Sequence, residues 1–371
     1  MLQHALTPSR RVRRTPFSDR VEAAGCKAYT VYNHMLLPTV FESLEADYRH
    51  LKTHVQLWDV ACERQVEVRG RDAARLLQML TPRDLRPVMA GQCAYTPMVD
   101  ETGGMLNDPV TVKLAEDRFW ISIADSDLLY WAKALTYGFR LEVDITEPEV
   151  WPLAIQGPKA DELAARVFGE AVRDIRFFRF FRLPFEGHDL VVARSGYSKQ
   201  GGFEIYLDRA DLAESLWDAL MAAGEDLEVR AGCPNLVERI EGRLLSYGND
   251  MTLENTPHEC GLGRFCDTLT AIGCVGRDAL LRVAMDGPVR QIRSFAIEGE
   301  AVPACLAPWP LHDPTSGERI GQVTSAAWSP DFETNVAIGM VMLSHWRDGT
   351  RVQVEAPDGP RWASVREKPF A

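Results

Sequence analysis

Long apolar runs are missing from this 371-residue chain, and none approaches the roughly 20 residues that span a bilayer. The N-terminus has no signal-peptide hydrophobic segment. The eight cysteines (26, 62, 93, 233, 260, 266, 274 and 305) include no CxxC pair. Cys260, Cys266 and Cys274 fit no structural zinc spacing, and nearby His258 does not complete one, so reduced thiols and no metal are expected. A GxGxxG after an opening strand is absent, and so is the phosphate loop GxxxxGK followed by Ser or Thr. None of the eight histidines accompanies a GxSxG serine or a recognisable catalytic cysteine, which removes nucleophilic hydrolysis. Positive charge is scarce too. With 41 Lys and Arg against 53 Asp and Glu, the formal net charge of -12 argues against non-specific nucleic-acid or anionic-membrane binding. SRRVRR (9–14) runs into TPFSDRVEAAG without a linker and reads as a solvated arm. The expectation is a cytoplasmic protein that binds small molecules, with no nucleic-acid or membrane partner; a homodimer is left open.

What is present fits an ordinary globular protein, 46% hydrophobic and 25% charged, long enough for two to three domains. QVEVRG (65–70) alternates like a strand, and RDAARLLQML (71–80) has helical spacing stopped near Pro82. Three strand candidates follow, 92–100, 105–114 and 118–125, joined by ETGG and AED as an antiparallel meander. With that first turn near Thr102 and Gly103, Tyr95 is expected across from about Asp108. WPLAIQGPKADELAARVFG (151–169) reads as a strand, a Gly-Pro turn and a helix with Pro158 in its first turn. RADLAESLWDALMAAG (209–224) and NLVERIEGRLLSYGND (235–250) read as amphipathic helices, the second placing Arg239 and Arg243 on one face. From about residue 285 the pattern is β-rich with regular turns, a small β domain or barrel. Together these patterns predict three lobes of mixed α+β type.

ARSGYSKQGGFEIYLD (193–208) poses the functional question. Phe203, Ile205 and Leu207 alternate with Glu204, Tyr206 and Asp208, so Glu204 and Tyr206 share a face directly after a glycine-rich loop. The bland reading is the wet face of a half-buried strand. Clustered aromatics offer another: YTVYNHMLLPT (29–39) and FFRFFR (177–182) could wall a cationic onium group, although core is the better reading for most of those phenylalanines.

GGMLNDPV, the IQGP turn, GGFEIY, ERIEG with LLSYGND, and TPHECGLG together resemble the aminomethyltransferase family. This is the family of the glycine-cleavage T-protein and of the folate-binding domains of dimethylglycine- and sarcosine-oxidising enzymes. YTVYNHMLLPT, WDVACERQVE, SKQGGFEIY, AGCPN and LLSYGNDMT are more closely similar to its sulfonium-demethylating members, from about residue 9 to the C-terminus. The resemblance implies a three-domain clover-leaf α+β fold with tetrahydrofolate in a central funnel and a C-terminal β-barrel-like domain. It divides the chain into 1–63 and 150–284 as the folate-binding domain, 64–149 as an inserted meander domain, and 285–371 as the β domain. By position, Glu204 matches the glutamate that grips the pterin and Asp108 the acidic residue beside the reactive nitrogens, here the catalytic candidate. Arg239 matches an arginine of the T-protein and counts among the implied folate-binding residues. Tyr95, Ser122, Gln156 and Trp328 lie in segments that line the folate site. Tyr32, Phe178, Tyr197 and Tyr206 are the candidate substrate wall, with Lys199 the partner of a substrate carboxylate. At Tyr197 the closer relatives lead one to expect tryptophan.

The implied reaction moves a methyl group from a sulfonium to tetrahydrofolate. Two alternatives stay open at this point: a folate-dependent aminomethyltransferase or demethylase of an amine or methoxy substrate, and a non-catalytic folate-binding protein.

Overall fold

Every residue of the strand Gly202–Leu207 is buried, which corrects the half-buried reading. The computed structural model describes residues 9–371 and places this strand third in a six-stranded sheet. The strand order is Phe180–Phe185, His188–Ala193, Gly202–Leu207, Trp151–Gln156, Gln56–Asp59 and Arg230–Gly232. All neighbours are antiparallel except the last pair. A central strand is covered on both faces, and the polar half of its alternation must then find partners inside the protein.

This sheet belongs to the first of two units, formed by residues up to Gln65 with Pro148–Gly196 and Gln200–Pro234. Phe203, Ile205 and Leu207 join the core in which the helices Ala160–Phe168 and Ala213–Ala223 bury Leu163, Phe168, Leu216 and Leu220. Pro158 lies just before that first helix, whose N-cap is Lys159. On the other face Glu204 stands in one row with Ala193, Ala154 and Trp58. Of the FFRFFR phenylalanines only Phe180 is core. Phe181, on the same edge strand, points outward, and Phe177 is 71% exposed.

The second unit comprises Val66–Glu147, Tyr197–Lys199 and Asn235–Ala371. Its five-stranded sheet has the order Asp144–Thr146, Gln65–Arg69, Arg118–Ser122, Val110–Ala115, Gln92–Tyr95. The helices Ala73–Leu80 and Leu128–Phe139 pack on the face bearing Phe119 and Ile121. Tyr95, Val110 and Ser122 form a register row on the opposite face. The meander is as expected; Tyr95 pairs in register with Val110, two residues after Asp108, and its side chain still reaches Asp108. NLVERIEGRLLSYGND is helical only over Leu236–Glu241, where Asn235 caps the start by accepting from Val237 and Glu238 N–H. Arg243 has φ 50°, outside the helix, so it does not share a face with Arg239. Residues 290–366 close a six-stranded antiparallel barrel around Phe295, Trp309, Leu311, Val323 and Val354.

Gly202 shows how tightly the first sheet is drawn together. Its φ is +148°, and a Cβ there would meet the Ile155 carbonyl oxygen at 1.9 Å. Gly202→Ala is expected to lower unfolding free energy by about 2 kcal/mol or more through this clash and strain, read by chemical denaturation. A loss below about 0.5 kcal/mol would contradict it.

Candidate functional site

Glu204 is 5% exposed and has no basic partner among the described residues. Its Oε2 accepts a hydrogen bond from the Ser195 hydroxyl and a longer one, 3.5 Å, from the Tyr206 phenol. Oε1 accepts nothing from the described residues. Burial pushes the carboxyl up, and the two hydroxyl donors oppose that without cancelling it. Two hydroxyls and one spare oxygen leave the carboxylate able to take further N–H donors.

The loop before Glu204 is shaped by Gln156, which has no exposed surface. Its amide donates to the carbonyls of Ile155 at 3.1 Å and Ser195 at 3.2 Å, and a Cβ at Gly196 would meet that amide nitrogen at 2.1 Å. A side chain so enclosed holds the loop in place. Tyr32 ends a hairpin strand, before the turn residues Asn33 and His34, both with positive φ (48° and 64°). Phe178 is half-buried at φ 58°, an uncommon conformation for a bulky residue. Tyr206 is fully buried on the Glu204 face.

In the second unit the Tyr95 phenol donates to Asp108 Oδ2 at 2.8 Å. Burial pushes Asp108 up to about 7, against the lowering effect of that bond. Burial first, and the Asp108 charge second, keep the phenol well above its usual range, so it remains a donor. The Phe265 ring stands edge-on to Tyr95 at 5.1 Å. Asn107, next to Asp108, is fixed by bonds with Ala124 and Ser126. Ser122 is buried on the Tyr95 face.

Arg239 is buried, and its guanidinium is held by Asp250 at 2.8 Å, Ser325 Oγ at 2.7 Å and the Leu244 carbonyl at 3.3 Å. Tyr197 donates to the Leu244 and Leu245 carbonyls, at 3.0 and 2.8 Å. Lys199 N–H donates to Glu238 at 2.6 Å, while its exposed ammonium has no partner among the described residues. Trp328, 37% exposed, lies on the barrel strand Arg319–Ser329. Ser195, Asp250 and Phe265 were not among the residues expected from the sequence. The first two sit inside the motifs ARSGYSKQGG and LLSYGND, where a hydroxyl or acid beside the chosen residue was the available signal.

The comparisons with known proteins cover nearly the whole chain. Residues 17–270 match the GCVT N-terminal domain, and 290–371 the glycine cleavage T-protein C-terminal barrel domain. The chain is 61% identical over 363 residues to a dimethylsulfoniopropionate demethylase of Ruegeria pomeroyi, covering 98% of each. It is 30% identical to an aminomethyltransferase of Symbiobacterium thermophilum, over 90% of this chain and 91% of the other. The crystal structure of the glycine cleavage system aminomethyltransferase T from Bartonella henselae matches with a TM-score of 0.86 at 27% identity, covering 97% of this chain and 98% of that one.

Since the Tyr95 bond lowers Asp108, Tyr95→Phe is expected to raise the Asp108 pKa above about 7, measured by carbon NMR of the carboxyl group. An unchanged or lower value would contradict the geometry.

Proposed function

The chain belongs to the glycine-cleavage T-protein family, and on that footing we propose that it catalyses tetrahydrofolate-dependent demethylation of dimethylsulfoniopropionate. The products are 3-(methylthio)propanoate and 5-methyltetrahydrofolate, formed by direct methyl transfer. The full-length likeness to the Ruegeria demethylase is the observation that carries this reading.

The residues fit the folate. A pterin edge offers two parallel N–H donors, which want a carboxylate with a spare oxygen and no competing cation. Glu204 meets both conditions. Tetrahydrofolate supplies the nucleophilic nitrogen that takes the methyl group. A sulfonium brings its own neutral thioether leaving group, so no residue must protonate it, and the protein's work is alignment. Asp108, with Tyr95 on one oxygen, takes the proton that methyl transfer releases. A value near 7 suits that role at neutral pH.

The remaining assignments belong to the same proposal. Tyr32, Phe178, Tyr197 and Tyr206 wall the cationic head, attracted to aromatic faces. The free ammonium of Lys199 takes the substrate carboxylate. Tyr95, Ser122, Gln156, Arg239 and Trp328 line the folate. The segment boundaries 1–63, 64–149, 150–284 and 285–371, and the cytoplasmic location, are part of this reading too.

Purified protein with tetrahydrofolate and dimethylsulfoniopropionate is expected to form 5-methyltetrahydrofolate; its absence would end the proposal. The single-turnover rate should rise about tenfold per pH unit below 7 and level off above it, because only ionised Asp108 accepts the proton. In Asp108→Asn the rate should fall and this dependence disappear. Glu204→Gln should weaken tetrahydrofolate binding by about 1.5–3 kcal/mol, the worth of a charge-assisted hydrogen bond, and leave binding of the sulfonium alone unchanged. Unaltered folate affinity would remove Glu204 from its role.

A further inference from the structure

The meander sheet of the second unit carries a cleft on the face opposite Tyr95 and Ser122. Ala94, Thr111, Lys113 and Phe119 alternate onto that face. Beside the helix Ala73–Leu80 they line a cleft of about 780 Å³ that also includes Leu77 and Phe139. That size lies within the roughly 300–1,000 Å³ typical of small-molecule sites. The walls are mainly apolar, and Phe139 remains 52% exposed at the edge.

Lys113 supplies the polar element. Its side chain is 9% exposed, and its ammonium donates to the Val88 carbonyl and to Glu116, each at 2.8 Å. Two of its three N–H donors are thereby used, which leaves one. The paired Glu116 side chain is 81% exposed, so solvent weakens its compensation of a charge held in an apolar wall. Arg75 also lines the cleft and makes no hydrogen bond or ion pair with the described residues; Arg86 there is paired with Asp84.

We propose that this cleft binds a monocarboxylate with a medium-length alkyl tail. The carboxylate takes the third Lys113 donor, with Arg75 as a second positive charge, and the tail covers Leu85, Phe139 and Val275. An anion is selected because Arg75 has no acidic partner among the described residues and Lys113 keeps one spare donor, its own partner Glu116 being largely in solvent. An apolar tail is selected because a small hydrophilic anion would leave the wall wet.

The test is calorimetric titration of the full chain with decanoate, with decan-1-ol as the uncharged control. Decanoate is expected to bind at one site at least tenfold more tightly than decan-1-ol. Lys113→Met, which keeps the length of the side chain, should remove that difference. Arg75→Gln, at an exposed helix position with little bearing on folding, should weaken decanoate about threefold and leave decan-1-ol unchanged. Saturating tetrahydrofolate should leave the decanoate affinity as it was, which separates this site from the proposed folate site. The short thioether acid 3-(methylthio)propanoate should not compete at equal concentration. No decanoate binding, equal binding of acid and alcohol, insensitivity to both substitutions, or displacement by tetrahydrofolate or by the short acid would each overturn the proposal.

Discussion

Burying Glu204 with only hydroxyls for company is costly, and the first unit is arranged around meeting that cost. A carboxylate removed from water without a cation rises in pKa unless donors surround it. Ser195 and Tyr206 provide two donors, both to one oxygen. Placing them requires the strand Gly202–Leu207 to sit between two partners and the preceding loop to fold back beside it. The close approach of Gly202 to the Ile155 carbonyl and the enclosed Gln156 amide produce that placement. A cation would satisfy Glu204 more completely and would also occupy the oxygen a ligand needs.

The second unit solves a related problem with a different device. Asp108 keeps one phenolic donor, from Tyr95, and is left near 7, where gaining or losing a proton is easy. The buried charge of Arg239, by contrast, is matched by Asp250, whose other oxygen accepts from Thr324 and Ser325. A buried pair satisfied on both sides is a fixed point, and breaking such a pair typically costs about 3–5 kcal/mol. Leu244, which accepts from both Arg239 and Tyr197, is anchored to that fixed point. Fully paired charges hold the frame, and incompletely paired ones keep spare acceptor capacity.

The same distinction explains what the sequence disclosed. The meander, the C-terminal barrel and the helices near 73–80, 160–168 and 213–223 follow from periodicity and turn residues, which are local signals. The sharing of a face by Glu204 and Tyr206 follows from the period of a strand, but the burial of that face does not, because it depends on the strand's neighbours. The helix ending at Glu241 rather than near 250 is a tertiary effect. Arg243 leaves the helix to bond Ser294 and the carbonyls of Arg366 and Glu367, partners distant in sequence. Gln156 was legible as a member of a motif. Its fully enclosed amide was not, since that depends on Gly196 folding over it.

The central claim is that Glu204 is held short of donors so that a pterin can complete its set. If so, binding must lower a pKa that burial has raised, and Glu204 must ionise as the ligand arrives. Calorimetry of tetrahydrofolate binding in buffers of different ionisation enthalpy, at mildly acidic pH, measures that proton directly. Net proton release on binding, lost in Glu204→Gln, is the expected result. Binding with no proton release, or the same release in the variant, would contradict it.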